Sequence, residues 1–417
     1  MDSFIIEGPG KINGEINVSG SKNSALAILF ASILTDEKCV LNGVPELSDI
    51  KTTYELLSYC GKSCFFGFNR FEISESSKLL TEAPYDLVRK MRASVLISGP
   101  MLARFKSVKF SMPGGCAIGV RPIDIHIEGF KKFGADVKLD GGYVILKAKK
   151  LKPAVIKLKF PSVGATVNLM MTASLIEGET VIKNAACEPE IEDLGEVLNK
   201  MGAVVSGAGT EEIKIKGSKK LKGFEHKVIP DRIEAGTFLI LGAMSAQKLT
   251  VKNVIPQHLT ALIEKLKKTG AELIVNNDEI KICSNKHIKP INLKTEPYPG
   301  YPTDLQSQWM AYMSLAEGKS QIEENIFENR FMHVAELIRM GADIEIKRNT
   351  AYIKGVKKLI GATVMASDLR AGAGLIIAGA NAYGITKIRR VYHIDRGYEK
   401  IEQKLASVGL NIKRTEE

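Results

Sequence analysis

One pattern constrains this chain more than any other. A glycine that ends an amphipathic, helix-like stretch and opens an alternating, strand-like run occurs six times, at Gly61, Gly134, Gly202, Gly270, Gly341 and Gly409. The spacings are 73, 68, 68, 71 and 68 residues. Segments such as GFKKFGADVKL, VLNKMGAVVSG and KLKKTGAELIV put the glycine at a helix C-terminus, where positive φ is needed. The runs that follow, such as ADVKLDGGYVILK and ADIEIKRNTAYIK, alternate apolar and polar residues about a tight turn and predict β-hairpins. Repetition at this period means one supersecondary unit used many times.

A second helix recurs in each unit, apolar on nearly every face and therefore expected inside a domain. Its copies are expected to start near Lys22-Asn23, Arg89 to Arg92, Thr166 to Asn168, Arg232 to Glu234, Thr303-Asp304 and Asp368 to Arg370. Polar residues cluster at these starts, where unpaired N–H groups and the helix dipole favour anions. The sixth unit is truncated after Gly409, and the N-terminal run FIIEGPGKINGEINV is expected to supply its missing strand. Six units divide most simply into two α/β domains of three: residues 20–229, and residues 1–19 with 230–417.

Composition narrows the function classes. With 45% hydrophobic and 25% charged residues, the chain is an ordinary globular protein rather than a disordered or fibrous one. The start MDSFIIEGPG lacks a basic segment leading into an apolar core, and the uncharged run from Ala371 to Thr386 is too short to span a membrane. A cytoplasmic location is expected, with no membrane partner. The net charge of +11 suits an anionic ligand, but no basic block of five residues occurs and aromatics are only 6%, so nucleic acid is not expected. Of the six cysteines, Cys60 and Cys64 lack the further ligands of a zinc set, and Cys39 and Cys283 lie in strand-like runs expected in the core. Without a ligand set or a dinucleotide fingerprint, no metal and no cofactor is expected.

The second unit breaks the pattern. From strand valine to C-terminal glycine the other units sampled take 19 to 21 residues, whereas Val108 to Gly134 takes 26. The extra stretch, Pro113 to Gly119, carries Cys116 between small residues, with Arg121 following. A thiol in a glycine-rich inserted loop near a guanidinium is a catalytic candidate.

At these residues the chain resembles the UDP-N-acetylglucosamine 1-carboxyvinyltransferases, enolpyruvyl transferases of the EPSP synthase superfamily. The resemblance covers the whole chain and rests on GSKNSALAIL (20–29), MRAS (91–94), PGGCAIGVRPIDIHIEG (113–129), SVGATVN (162–168), PDRIEAGTF (230–238), PTDLQSQ (302–308), IFENRFMHVAELIRMGA (326–342), SDLRAGA (367–373) and YHIDRGYEKIE (392–402). It implies an inside-out fold, helices within and sheets outside, with the active site in a cleft between two three-unit domains that closes on the nucleotide sugar. It also implies transfer of the enolpyruvyl group of phosphoenolpyruvate to the 3-hydroxyl of UDP-N-acetylglucosamine, the first committed step of peptidoglycan synthesis, by a monomer without cofactor.

The site residues follow from the same motifs. Lys22, Asn23, Arg121 and Arg396 match phosphoenolpyruvate contacts, and Arg330 and Arg370 match further arginines of the cleft. Cys116 matches a loop thiol proposed to protonate the vinylic carbon and alkylated by the epoxide fosfomycin. Asp304 matches the carboxylate that takes the sugar hydroxyl proton, although by position alone it could be a helix cap. Asp368 matches a further cleft acid. For the nucleotide sugar the matching positions are Arg92, Arg121, Pro122, Ile123, Asp124, Ile125, Pro161, Ser162, Val163, Gly164 and Ile326. His126, His333 and His393 read as structural hydrogen-bonders, and His226 carries no signal. Phe160-Pro161 departs from the family, many members of which have a basic residue there. Three other readings remain open: the sister enzyme acting on shikimate 3-phosphate, an inactive paralogue, and a non-catalytic basic repeat protein.

Overall fold

The computed structural model describes residues 2–75, 77–112, 123–285 and 287–416. It contains six four-stranded sheets, all with one strand pattern. A short edge strand runs parallel to a first strand, which pairs antiparallel with a third, and that strand pairs antiparallel with the fourth. The hairpin runs supply the last two strands, as Asp136–Asp140 with Tyr143–Lys147 and Asp343–Lys347 with Thr350–Lys354 illustrate. All six repeat glycines have φ between 93° and 103°, the left-handed turn that side chains with a Cβ resist.

The described chain forms two compact units, 2–19 with 230–416, and 20–112 with 123–229. Each closes on itself through a strand from a distant part of its sequence. In the middle unit Glu225–Lys227 is the parallel edge beside Cys39–Asn42. In the terminal unit the N-terminal run gives two strands rather than one. Asp2–Gly8 lies between Gly384–Arg389 and Asn411–Glu416, completing the truncated sixth sheet. Ile12–Asn17 is the parallel edge beside Ala246–Lys252.

Each unit is built around three apolar helical segments. Lys22–Ala31, Val163–Ala173, Arg232–Ser245, Gln306–Met313 and Leu369–Asn381 are buried along almost their whole length. Outer amphipathic helices such as Ser48–Tyr59 and Pro189–Met201 cover one face only. Close approach of the inner helices requires small residues. A Cβ on Gly99 would stand 2.6 Å from the Asn168 carbonyl oxygen, and one on Gly374 would stand 2.9 Å from that of Ser307.

Three helix starts differ from expectation. The third inner helix begins at Val163, not near Thr166, because the Ser162 hydroxyl caps the Ala165 amide at 3.4 Å. The second begins as a 3₁₀ stretch, Arg92–Ile97, before the α-helix Ser98–Phe105, since Pro100 has no N–H to give a carbonyl four residues back. The fifth begins with a 3₁₀ turn, Thr303–Leu305. Cys39 is buried as expected, but Cys283, at the end of its strand, is only half-buried. No helix among the described residues is long and apolar enough to cross a membrane.

Candidate active site

The terminal unit gathers its expected site residues at the starts of two inner helices. Asp304 sits in the 3₁₀ turn Thr303–Leu305, with one carboxylate oxygen 2.7 Å from Arg330 Nη2 and the other 3.5 Å from Arg370 Nη2. It caps no helix; it is the carboxylate shared by two buried guanidiniums. The capping role falls instead to Asp368, which accepts from the Arg370 and Ala371 amides at 2.9 and 3.1 Å. Burial alone would lower the Arg370 pKa, but Asp304 and the Tyr398 hydroxyl more than offset it, and the pKa is raised. The guanidinium lies 5.4 Å from the Tyr398 ring centroid, and its Nη1 has no hydrogen-bond partner among the described residues. A buried donor of this kind favours an anionic oxygen.

Further residues fix this cluster. Gln308 Nε2 reaches the Asp304 carbonyl at 3.0 Å, Thr237 Oγ1 at 3.1 Å and the Tyr398 hydroxyl at 3.1 Å. The Ser307 hydroxyl donates to the Arg370 carbonyl at 2.6 Å. Glu324, 4% exposed, joins two expected positions: it accepts from the Thr303 hydroxyl at 2.9 Å beside Asp304 and from the Ile326 amide at 2.9 Å. Arg396 ends the 3₁₀ segment Val391–Arg396 and acts electrostatically on His393, whose pKa is lowered first by burial and then by Arg396.

The middle unit holds two sets. Lys22 opens the first inner helix, beside Asn23, and its ammonium lies 3.1 Å from Asp49 in the first turn of Ser48–Tyr59. Both side chains are buried, so the cation is held in place rather than solvated. The second set is knitted together by Asn168, inside the third inner helix. Its amide nitrogen is 3.1 Å from the Val95 carbonyl, 3.2 Å from Ser98 Oγ and 2.9 Å from His126 Nδ1, and its oxygen accepts from the Gly99 amide at 3.0 Å. Thus the Arg92 segment, the helix Asp124–Lys132 that follows Ile123, and the Ser162–Gly164 turn share one polar centre. A Cβ on Gly164 would stand 3.3 Å from the His126 ring, so glycine lets the imidazole lie against this helix start. Phe160 is exposed, and the neighbouring Lys159 pairs with Glu128 at 2.8 Å on the surface. Cys116, Arg121 and Pro122 lie outside the described residues.

Asp49, Asn168, Gln308, Glu324 and Tyr398 were not assigned site roles from sequence. One of them left a signal there: Asn168 is an amide inside an otherwise largely apolar helix, and most buried amides find partners.

Two histidines give the site a pH signature. Burial, and then the Arg92 guanidinium, pushes the His126 pKa down to about 3. Burial lowers that of His333 to about 4, with Asp368 opposing and Arg330 adding to the shift. An unfolded histidine takes a proton near pH 6.5, whereas these stay neutral when folded, so the unfolded chain binds more protons as pH falls below that value. Stability therefore declines from about pH 6.5 toward pH 4, by about 1.4 kcal/mol per pH unit for each histidine. Urea unfolding at pH 7 and pH 5 is expected to show this loss, with His126→Gln flattening its share. Identical wild-type stabilities at the two pH values would contradict it.

The sequence and the fold are both matched by known proteins. A family described as EPSP synthase (3-phosphoshikimate 1-carboxyvinyltransferase) matches residues 6–405, and the chain belongs to that family of enolpyruvyl transferases. It is 54% identical to the UDP-N-acetylglucosamine 1-carboxyvinyltransferase of Endomicrobium trichonymphae over 414 residues, covering 99% of each chain. It is 52% identical to that of Elusimicrobium minutum over 416 residues, again covering 99% of each. Within the family it therefore stands with the UDP-N-acetylglucosamine 1-carboxyvinyltransferases. Solved structures extend the likeness in fold. The enolpyruvyl transferase NikO of Streptomyces tendae superposes with a TM-score of 0.90 at 23% identity, covering 99% of each chain. An EPSP synthase of Acinetobacter baumannii gives 0.79 at 20% identity, covering 100% of each.

Proposed function

We propose that this enzyme transfers the enolpyruvyl group of phosphoenolpyruvate to the 3-hydroxyl of UDP-N-acetylglucosamine, releasing phosphate, in the bacterial cytoplasm as the opening step of peptidoglycan synthesis. The observation that carries the reading is Asp304 held between Arg330 and Arg370, in a chain about half identical to enzymes named for that acceptor.

In this reading Lys22, Asn23, Arg121, Arg330, Arg370 and Arg396 meet the carboxylate and phosphate of the donor. Guanidiniums suit both groups because two parallel N–H donors match two oxygens. Arg92, residues 121–125, residues 161–164 and Ile326 receive the nucleotide sugar. Asp304 takes the proton of the sugar hydroxyl as its oxygen attacks C2 of the donor, while Cys116 gives a proton to C3. Loss of a C3 proton with departure of phosphate then restores the double bond.

The test is phosphate release from phosphoenolpyruvate with UDP-N-acetylglucosamine, and separately with shikimate 3-phosphate, in wild type and Cys116→Ala. Release with the nucleotide sugar alone, abolished by fosfomycin in wild type and lost in the variant, is expected. Release with shikimate 3-phosphate would move the chain to the sister activity. Full activity under saturating fosfomycin would remove Cys116 from the mechanism.

A further inference from the structure

A chain of buried polar groups runs from the surface of the middle unit to the helix turn that carries Lys22 and Asn23. Its centre is Asp193, 2% exposed, in the helix Pro189–Met201. One carboxylate oxygen accepts from the hydroxyl of Ser24, fully buried in the first turn of Lys22–Ala31, and from the Ile229 amide at 3.5 Å. The other lies 2.6 Å from His226 Nε2. His226 Nδ1 is in turn 2.8 Å from the ammonium of the exposed Lys200. An ammonium can only donate, so Nδ1 accepts and the imidazole carries its proton on Nε2, aimed at Asp193.

The same contacts reach the helix cap. The Ser24 amide donates to the Ser21 hydroxyl at 3.4 Å, and the Ser21 amide donates to the Ile229 carbonyl at 2.7 Å. Asp193 thus ties both the cap and the first turn, through Ile229 and Ser24, while Lys22 is tied separately to Asp49. Glu196 lies close enough for the trio Asp193, Glu196 and His226 to suggest a metal site. With Nε2 protonated toward Asp193 and Nδ1 accepting from Lys200, neither ring nitrogen of His226 offers such a site a free lone pair.

We infer that Asp193 is a positioning residue for donor binding: it sets the Lys22–Asn23 turn through Ser24 and Ile229, and His226 holds its carboxylate in the required orientation. The inference rests on the reading of Lys22 as a phosphoenolpyruvate contact. A merely structural tie between two helices would change stability and leave the Michaelis constants alone.

The full-length enzyme is assayed by phosphate release as Ser24→Ala, Asp193→Asn, His226→Gln, His226→Phe and Lys22→Gln, with thermal midpoints measured alongside. Ser24→Ala, Asp193→Asn and His226→Phe are expected to raise KM for phosphoenolpyruvate by about tenfold, with kcat and the KM for UDP-N-acetylglucosamine within about twofold of wild type. His226→Gln, whose amide can still donate to Asp193, is expected to restore most of the donor affinity. Ser24→Ala decides the matter where Asp193→Asn fails to fold. Folded Ser24→Ala with wild-type KM for the donor, while Lys22→Gln raises it, would overturn the inference and leave the functional reading intact. A wild-type donor KM in Lys22→Gln would overturn the reading of Lys22 and this inference with it.

Discussion

Asp304→Asn is expected to lower the turnover of phosphate release by about 10²–10⁴-fold, the range a correctly placed general base contributes. The substitution keeps the shape of the side chain but removes the negative charge shared by Arg330 and Arg370. Those guanidiniums stay buried and charged, so the local potential becomes more positive. Donor affinity is therefore expected to hold or improve while turnover falls, a split that a folding defect would not produce. The two arginines, 5% and 4% exposed, lose their shared counter-ion, so a loss of stability is expected beside the loss of turnover. The comparison to make is kcat and the donor KM for wild type and Asp304→Asn at equal folded concentration. Wild-type turnover in the variant would take Asp304 out of the chemistry.

The largest loss of stability is expected at Asn168. Leucine has the same branched skeleton but none of the hydrogen bonds, so Asn168→Leu leaves the Gly99 amide and His126 Nδ1 without their amide partner in a dry interior, while the Val95 carbonyl keeps only the Ser98 hydroxyl. Each orphaned buried group costs about 1–3 kcal/mol, and the sum is expected at about 3–5 kcal/mol. The two methyl groups of leucine, bulkier than the carboxamide, would also press on Gly99, where even an added Cβ would meet the Asn168 carboxamide oxygen at 2.5 Å. Urea unfolding monitored on the middle unit should register the loss. Asn168→Asp, which keeps the acceptor for Gly99 but loses the donors, should fall between. A cost under about 1 kcal/mol for Asn168→Leu would show that the neighbouring helices re-pair their polar groups.

How far the sequence could be read depended on the range of each interaction. Periodicity and glycine position are local, and they located five hairpins, the single strand after Gly409 and all six left-handed turns. The starts at Lys22, Arg232 and Asp368 were legible because a capping residue precedes an apolar run. The start at Val163 was placed too late because Ser162 looked like loop rather than cap, and Pro100 gave a 3₁₀ stretch that an apolar pattern does not distinguish from α-helix. At the site, Asp304 was visible through its motif, but its role as a shared counter-ion depends on Arg330 and Arg370, 26 and 66 residues away. Asp49, Glu324 and Asp193 were missed for the same reason. Each is an ordinary surface-type residue in sequence, and only the folded chain buries it against a partner, Lys22 for Asp49, Thr303 for Glu324 and Ser24 for Asp193. His226 looked silent because its neighbours Asp193 and Lys200 lie in the preceding repeat.

The placement of the N-terminal strands sets an order for synthesis. Residues 2–17 leave the ribosome before all of their sheet partners, Ala246–Lys252, Gly384–Arg389 and Asn411–Glu416. The middle unit, whose closing strand Glu225–Lys227 is made before residue 230, can complete all three of its sheets while the rest of the chain is still being made. The N-terminal segment must wait, carrying Phe4, Ile5 and Ile6 unpaired, until residues 384–416 are available. A nascent chain of this enzyme thus carries an aggregation-exposed segment at residues 2–17 while the middle unit is made and folds, and an aggregation-suppressing chaperone would act there.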